Sequence, residues 1–103
     1  MMIYTKKNLY NITKKLYYLI RHSDDGIQFV KLGRGVAGYY YCGTDEIEID
    51  YRRDIIPTLI HESLHKWHPD WPHRDIYRHE SRIVNSLSRR QIHNIIKAIG
   101  ENL

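Results

Sequence analysis

Asp54-Ile-Ile-Pro-Thr-Leu-Ile-His61-Glu62-Ser-Leu-His65-Lys-Trp-His68-Pro69-Asp70-Trp-Pro72-His73-Arg-Asp75-Ile-Tyr77-Arg-His79-Glu80 is the stretch around which the chain is organised. Two histidines stand four residues apart, and a glutamate directly follows the first. On a helix that spacing puts both imidazoles on one face, about 6 Å apart at their Cβ atoms. Two neutral ring nitrogens so placed can meet one Zn²⁺ ion. Glu62 then lies beside the metal, where it can take a proton from bound water.

The helix that carries the motif is well marked. Asp54 is placed to N-cap it, and Pro57 is tolerated in its first turn. Ile56, Ile60, Leu64 and Trp67 form a stripe toward a core, with His61 and His65 on the opposite side. Pro69 ends the helix by biasing the residue before it out of helical geometry.

Zinc needs a third protein ligand. Pro72 is placed to open the next helix. There Ile76, Tyr77, Ile83, Val84 and Leu87 share an apolar face, with Glu80 in its middle. A carboxylate in that position is costly unless it is paired or bound to metal, which makes Glu80 the favoured ligand. His68, Asp70, His73, Asp75 and His79 compete with it. His73 is the strongest rival, two turns before Glu80 and near the same face. A histidine six residues after His65, as in metzincins, is missing, because Trp71 stands there. In the expected chemistry Glu62 is the general base, and Tyr77 or His73 is a donor to the tetrahedral intermediate. Core packing is the competing role for Tyr77.

Outward from this stretch, Thr5 caps a first helix over residues 5–21, with Leu9, Ile12, Leu16, Leu19 and Ile20 at helical spacing. Ser23-Asp24-Asp25-Gly26 reads as a turn. Three strands follow: Ile27–Leu32, Val36–Cys42 after Gly33-Arg34-Gly35, and Glu46–Tyr51. The short links predict an antiparallel meander. In the last strand Glu46, Glu48 and Asp50 alternate with Ile47, Ile49 and Tyr51, which predicts one wet and one packed face. Its acidic side suits an edge strand, one able to align an extended peptide. Cys42 reads as a small core residue. Ser88 and Gln91 form a capping box for a last helix ending at Gly100, after a break near Leu87.

With 103 residues, 42% of them hydrophobic and 27% charged, the chain is expected to be a single α+β domain over 1–103. The nine tyrosines suit half-buried packing sites. The net charge of +4 raises weak nucleic-acid contact. Basic pairs such as Lys6-Lys7, Lys14-Lys15, Arg52-Arg53 and Arg89-Arg90 are scattered, however, and read first as solvated surface. A single cysteine allows no intrachain disulfide. With no signal-like or membrane-spanning run, a cytoplasmic protein without membrane contact is expected.

The segment Ile47-x-Ile49-Asp50 followed by Thr58-Leu59-Ile60-His61-Glu62-Ser63-Leu64-His65 and Pro69-Asp70 resembles a group of small HExxH proteins of phages, viruses and bacteria. The order of elements is also similar to minimal gluzincins, over roughly residues 46–87. The resemblance implies a zincin-like fold: an N-terminal helix, a three-stranded mainly antiparallel sheet, the active-site helix, a ligand-bearing helix and a short C-terminal helix. It implies one zinc ion at His61, His65 and Glu80, with Glu62 as base. The spacing from His65 to Glu80 is shorter than in large thermolysin-like enzymes. The expected function is therefore zinc-dependent hydrolysis of peptides or protein segments. The alternatives are a zinc-binding regulatory or interaction module without hydrolysis, and a DNA-associated SprT-like protease.

Overall fold

Two reciprocal capping boxes frame the helical parts of the chain in the computed structural model, which describes residues 4–22, 27–33, 35–52 and 54–103. At the first, the Thr5 hydroxyl accepts from the Asn8 amide at 3.1 Å, while the Thr5 amide donates to the Asn8 side chain at 3.2 Å. Helix α1 then runs Lys6–Arg21 and buries Leu9, Leu16, Leu19 and Ile20. At the second box, Ser88 and Gln91 exchange bonds of 3.1 and 2.8 Å and start α4, Arg89–Gly100. Each such cap is worth about 1 kcal/mol. Between them lie α2, Ile55–Trp67, and α3, His73–Ser86. The turn expected at Ser23–Gly26 lies outside the described residues, as does Arg34 of the Gly33–Gly35 connection.

The α+β class is as expected, but the sheet is mixed rather than an antiparallel meander. Strands β1 (Ile27–Val30), β2 (Gly38–Tyr41) and β3 (Glu46–Asp50) lie in the order β1-β3-β2. β2 pairs antiparallel with β3, whereas β1 pairs parallel with it, Ile27 opposite Ile47 and Phe29 opposite Ile49. The link from β1 to β3 is long enough to reverse direction because it contains β2 itself. The acidic strand is thus the centre of the sheet, and β2 is an edge.

Ile47 and Ile49 are fully buried, and Glu46 is exposed, as alternation predicts. The last two positions depart from it. Tyr51 lies just past the strand and is 38% exposed. Asp50 is 0% exposed rather than wet. It accepts from the Leu32 amide at 3.0 Å, the Arg52 amide at 3.0 Å and the Arg52 guanidinium at 2.9 and 2.7 Å. Local bonds of this kind override a periodicity, because a buried carboxylate with charged and amide donors is fully satisfied. Asp50 thereby ties the end of β1 to the end of β3. Cys42 is also a correction: it is exposed in the 42–45 turn, not in the core, because β2 stops at Tyr41.

The Arg52 guanidinium holds the Asp50 carboxyl well below the usual carboxylate range. A depressed native value means that the stabilisation is present above the unfolded value near pH 4 and is lost as pH falls further. Asp50→Asn is expected to lower Tm by roughly 10 °C at neutral pH. Melts by circular dichroism should show that deficit shrinking between pH 5 and pH 2. A deficit that stays constant across this window would refute the assignment.

Helix α2 packs on β2 and β3 and against α3, while α1 packs against α4. The core is built from Leu16, Ile20, Ile27, Ile47, Ile49, Leu59, Ile60, Ile76, Ile83 and Ile95, all at most 1% exposed. No helix among the described residues is long and apolar enough to cross a membrane.

Candidate metal centre

Helix α2 buries Leu59, Ile60 and Leu64 against the sheet and turns His61 and His65 toward α3. Asp54 occupies the N-cap position as predicted, but its side chain makes no capping bond and instead lines the cleft described below. Pro72 precedes α3 in extended geometry, so His73 becomes the first helical residue and faces α2. His73, Tyr77 and Glu80 recur at i, i+4 and i+7, and all three line the same cleft.

Three imidazoles converge there. His61 Nε2 lies 2.9 Å from His73 Nε2 and 3.2 Å from His65 Nε2. Ligand atoms of His61, His65 and His73 all lie within 4.8 Å of one another, and no other such group occurs among the described residues. Tetrahedral zinc with Zn–N bonds near 2.0–2.1 Å separates its nitrogens by about 3.3 Å. The trio therefore fits zinc, and a His₃ donor set leaves a fourth position open.

Glu80, expected as the third ligand, stands elsewhere. Its carboxylate accepts from Nδ1 of His61 at 2.7 Å, the nitrogen that faces away from the trio. That bond keeps the proton on Nδ1 and leaves the Nε2 lone pair for metal, the arrangement of a carboxylate behind a liganding histidine. The physical reason is position along α3. Glu80 lies nearly two turns beyond His73, so it meets the back of the His61 ring while His73 meets its front.

The other rivals take no part. His68 stacks on Trp71 at 3.7 Å, Trp71 packs on His79 at 4.3 Å, and Nδ1 of His79 is bonded to the Tyr4 hydroxyl. Asp70 and Asp75 likewise contribute no atom to the trio. The stack of His68, Trp71 and His79 instead fixes the short link between α2 and α3.

Glu62 is 9% exposed and lines the cleft next to the histidines. Burial, and secondarily the charge of Glu80, push its carboxyl up to about 7. Burial and the neighbouring imidazoles push His65 below its ordinary value, which favours the neutral, metal-competent ring. Tyr77 is not a core residue. It is 57% exposed, with its ring 4.8 Å from that of His61 and 4.7 Å from that of His73.

The cleft has a volume of about 550 Å³, and its far wall is Gly35–Tyr39, leading into edge strand β2. Gly38 lets that wall approach the metal helix. A Cβ there would stand 2.7 Å from Thr58 Cγ2 and 3.1 Å from Glu62 Cγ. An isolated glycine in a strand pattern is the available sequence signal for such an approach. At the other end of β2, Lys66 of α2 donates to both the backbone and, at 2.8 Å, the carboxylate of Asp45. Asp45 has a positive φ of 62° and also accepts from the Tyr40 hydroxyl at 2.7 Å. The edge strand therefore lies close against α2 at its Gly38 end and is tied to α2 beyond its other end by Lys66 and Asp45. This strut joins residues distant in sequence and had no signal there.

No family model, curated protein or solved structure matches this chain.

Proposed function

We propose that this chain is a zinc-dependent peptidase domain, with His61, His65 and His73 as ligands and Glu62 as general base. One observation carries the reading: three Nε2 atoms converge beside a buried carboxylate in an open cleft. When bound, zinc supplies Lewis acidity, polarising a carbonyl and acidifying a water. Glu62 takes the proton of the attacking water and passes it to the leaving amine. A carboxyl held near neutrality serves both halves of that transfer. Glu80 orients His61 through Nδ1. Tyr77, at the rim, is the candidate donor to the developing oxyanion.

A peptide substrate is supported by the wall opposite the metal helix. Among the described residues β2 pairs only with β3, so its outer edge offers main-chain donors and acceptors to an extended chain. The role expected for the acidic strand passes to β2, since Glu46–Asp50 is central.

The test is metal content joined to hydrolysis. Protein purified without chelator is expected to carry about one zinc per chain. Stripping it with phenanthroline should abolish cleavage of an unstructured protein substrate, and added zinc should restore it. Absence of bound zinc, or cleavage indifferent to its removal, would overturn the proposal.

A further inference from the structure

Helix α3 has a second, exposed face that carries one sign of charge. Arg74, Arg78 and Arg82 recur every four residues and are exposed, on the side opposite the buried Ile76 and Ile83. At 1.5 Å per residue they stand about 6 Å apart along the axis. Ser81 and Asn85 lie within the same stripe, so no carboxylate interrupts it. Arg74, 80% exposed, meets Asp75 only at 4.0 Å, and no ion pair involves Arg78 or Arg82 among the described residues. Arg89 and Arg90 extend the charge at the start of α4. Residues 73–100 hold six Lys and Arg against two Asp and Glu, a surplus of four equal to the net charge of the whole chain. Helix α1 is also basic, with five Lys and Arg and no acid, but its Lys14, Lys15 and Arg21 lie over the rings of Tyr10, Trp67 and Tyr17, whereas the α3 arginines form an evenly spaced exposed row.

We propose that this arginine ridge docks the phosphate backbone of duplex nucleic acid without reading its sequence. Arginine presents a planar fork suited to phosphate, and all three ridge positions are arginine. An anionic membrane is disfavoured, because the apolar side of α3 is spent on the core and cannot insert into lipid. A single strand is disfavoured, because the ridge carries no aromatic ring for stacking and Tyr77 is turned to the cleft. Asp54, Glu62 and Glu80 line the cleft itself and repel phosphate, so the polyanion lies behind α3 and leaves the metal centre open. The ridge does not depend on the peptidase reading.

Fluorescence anisotropy with a labelled duplex of roughly 20 base pairs tests it. Three phosphate contacts predict a slope of log K against log salt of about −2.7, a loss of roughly 40-fold between 50 and 200 mM salt. The Arg74→Gln/Arg78→Gln/Arg82→Gln variant, with unchanged circular dichroism and zinc content, is expected to bind at least ~10-fold more weakly and to lose most of that slope. Lys6→Gln/Lys7→Gln/Lys14→Gln removes the same charge from α1 and should change binding no more than about twofold. A flat salt response or equal losses in both variants would overturn the proposal. So would single-stranded DNA, anionic phosphatidylserine vesicles or polyglutamate binding at least as tightly as the duplex.

Discussion

His73→Ala is expected to release zinc, while Glu80→Gln weakens its binding but keeps it. The two side chains touch opposite nitrogens of one ring, His73 opposite Nε2 of His61 and Glu80 on Nδ1. Structural zinc sites bind with roughly 10–16 kcal/mol over four ligands, or about 2.5–4 kcal/mol for each. Deleting the His73 imidazole therefore predicts a loss of about 10²–10³-fold in affinity. Partners behind a liganding histidine cost 10–100-fold when mutated. Gln still offers an oxygen to the Nδ1 proton, so Glu80→Gln should fall near the ~10-fold end of that range. Competition against a chromogenic chelator gives both numbers, and cobalt substitution adds a spectrum that reports ligand count. If Glu80→Gln loses more affinity than His73→Ala, Glu80 is the ligand and the trio is incidental.

That experiment bears on the third ligand, one of the roles the sequence left open. His61, Glu62 and His65 were legible because their geometry is local: four residues on a helix fix the relative placement of the rings. The capping boxes at Thr5 and Ser88 were legible for the same reason, each closing over three residues. His73 and Glu80 both reach His61 from the same face of α3. Which of them meets Nε2 depends on how α3 crosses α2, where His68 and Trp71 of the link stack against His79 of α3, a contact between residues of separate elements. Periodicity carries no information about such a crossing. The sheet failed similarly. Alternation over Glu46–Tyr51 gave the faces of Ile47 and Ile49, but strand order depends on where β1 inserts, and Asp50 is buried by bonds to Arg52 and Leu32 rather than by any pattern. Tyr77 was harder still, since a tyrosine on an apolar stripe fits a core and a rim equally well. Its exposure settles only that it is not a core residue.

Glu62→Gln separates a working peptidase from a zinc-binding module. The substitution keeps shape and volume, and Glu62 contributes no atom to the trio, so zinc content should be unchanged. Removing a general base predicts a fall in kcat of about 10²–10⁴-fold with little change in KM. Stability should not suffer. Glu62 is 9% exposed and its carboxylate is disfavoured by burial and by Glu80, so a neutral amide suits the position at least as well. An unchanged or higher Tm alongside lost hydrolysis is the expected combination, because a residue under selection for stability alone would show the opposite. A variant that retains zinc and cleaves at the wild-type rate would remove Glu62 from the chemistry. Wild-type protein that binds zinc through His61, His65 and His73 yet cleaves no peptide would leave the centre as a structural clasp between α2 and α3. In that case chelation should lower Tm markedly, since metal binding free energy would then act as folding free energy.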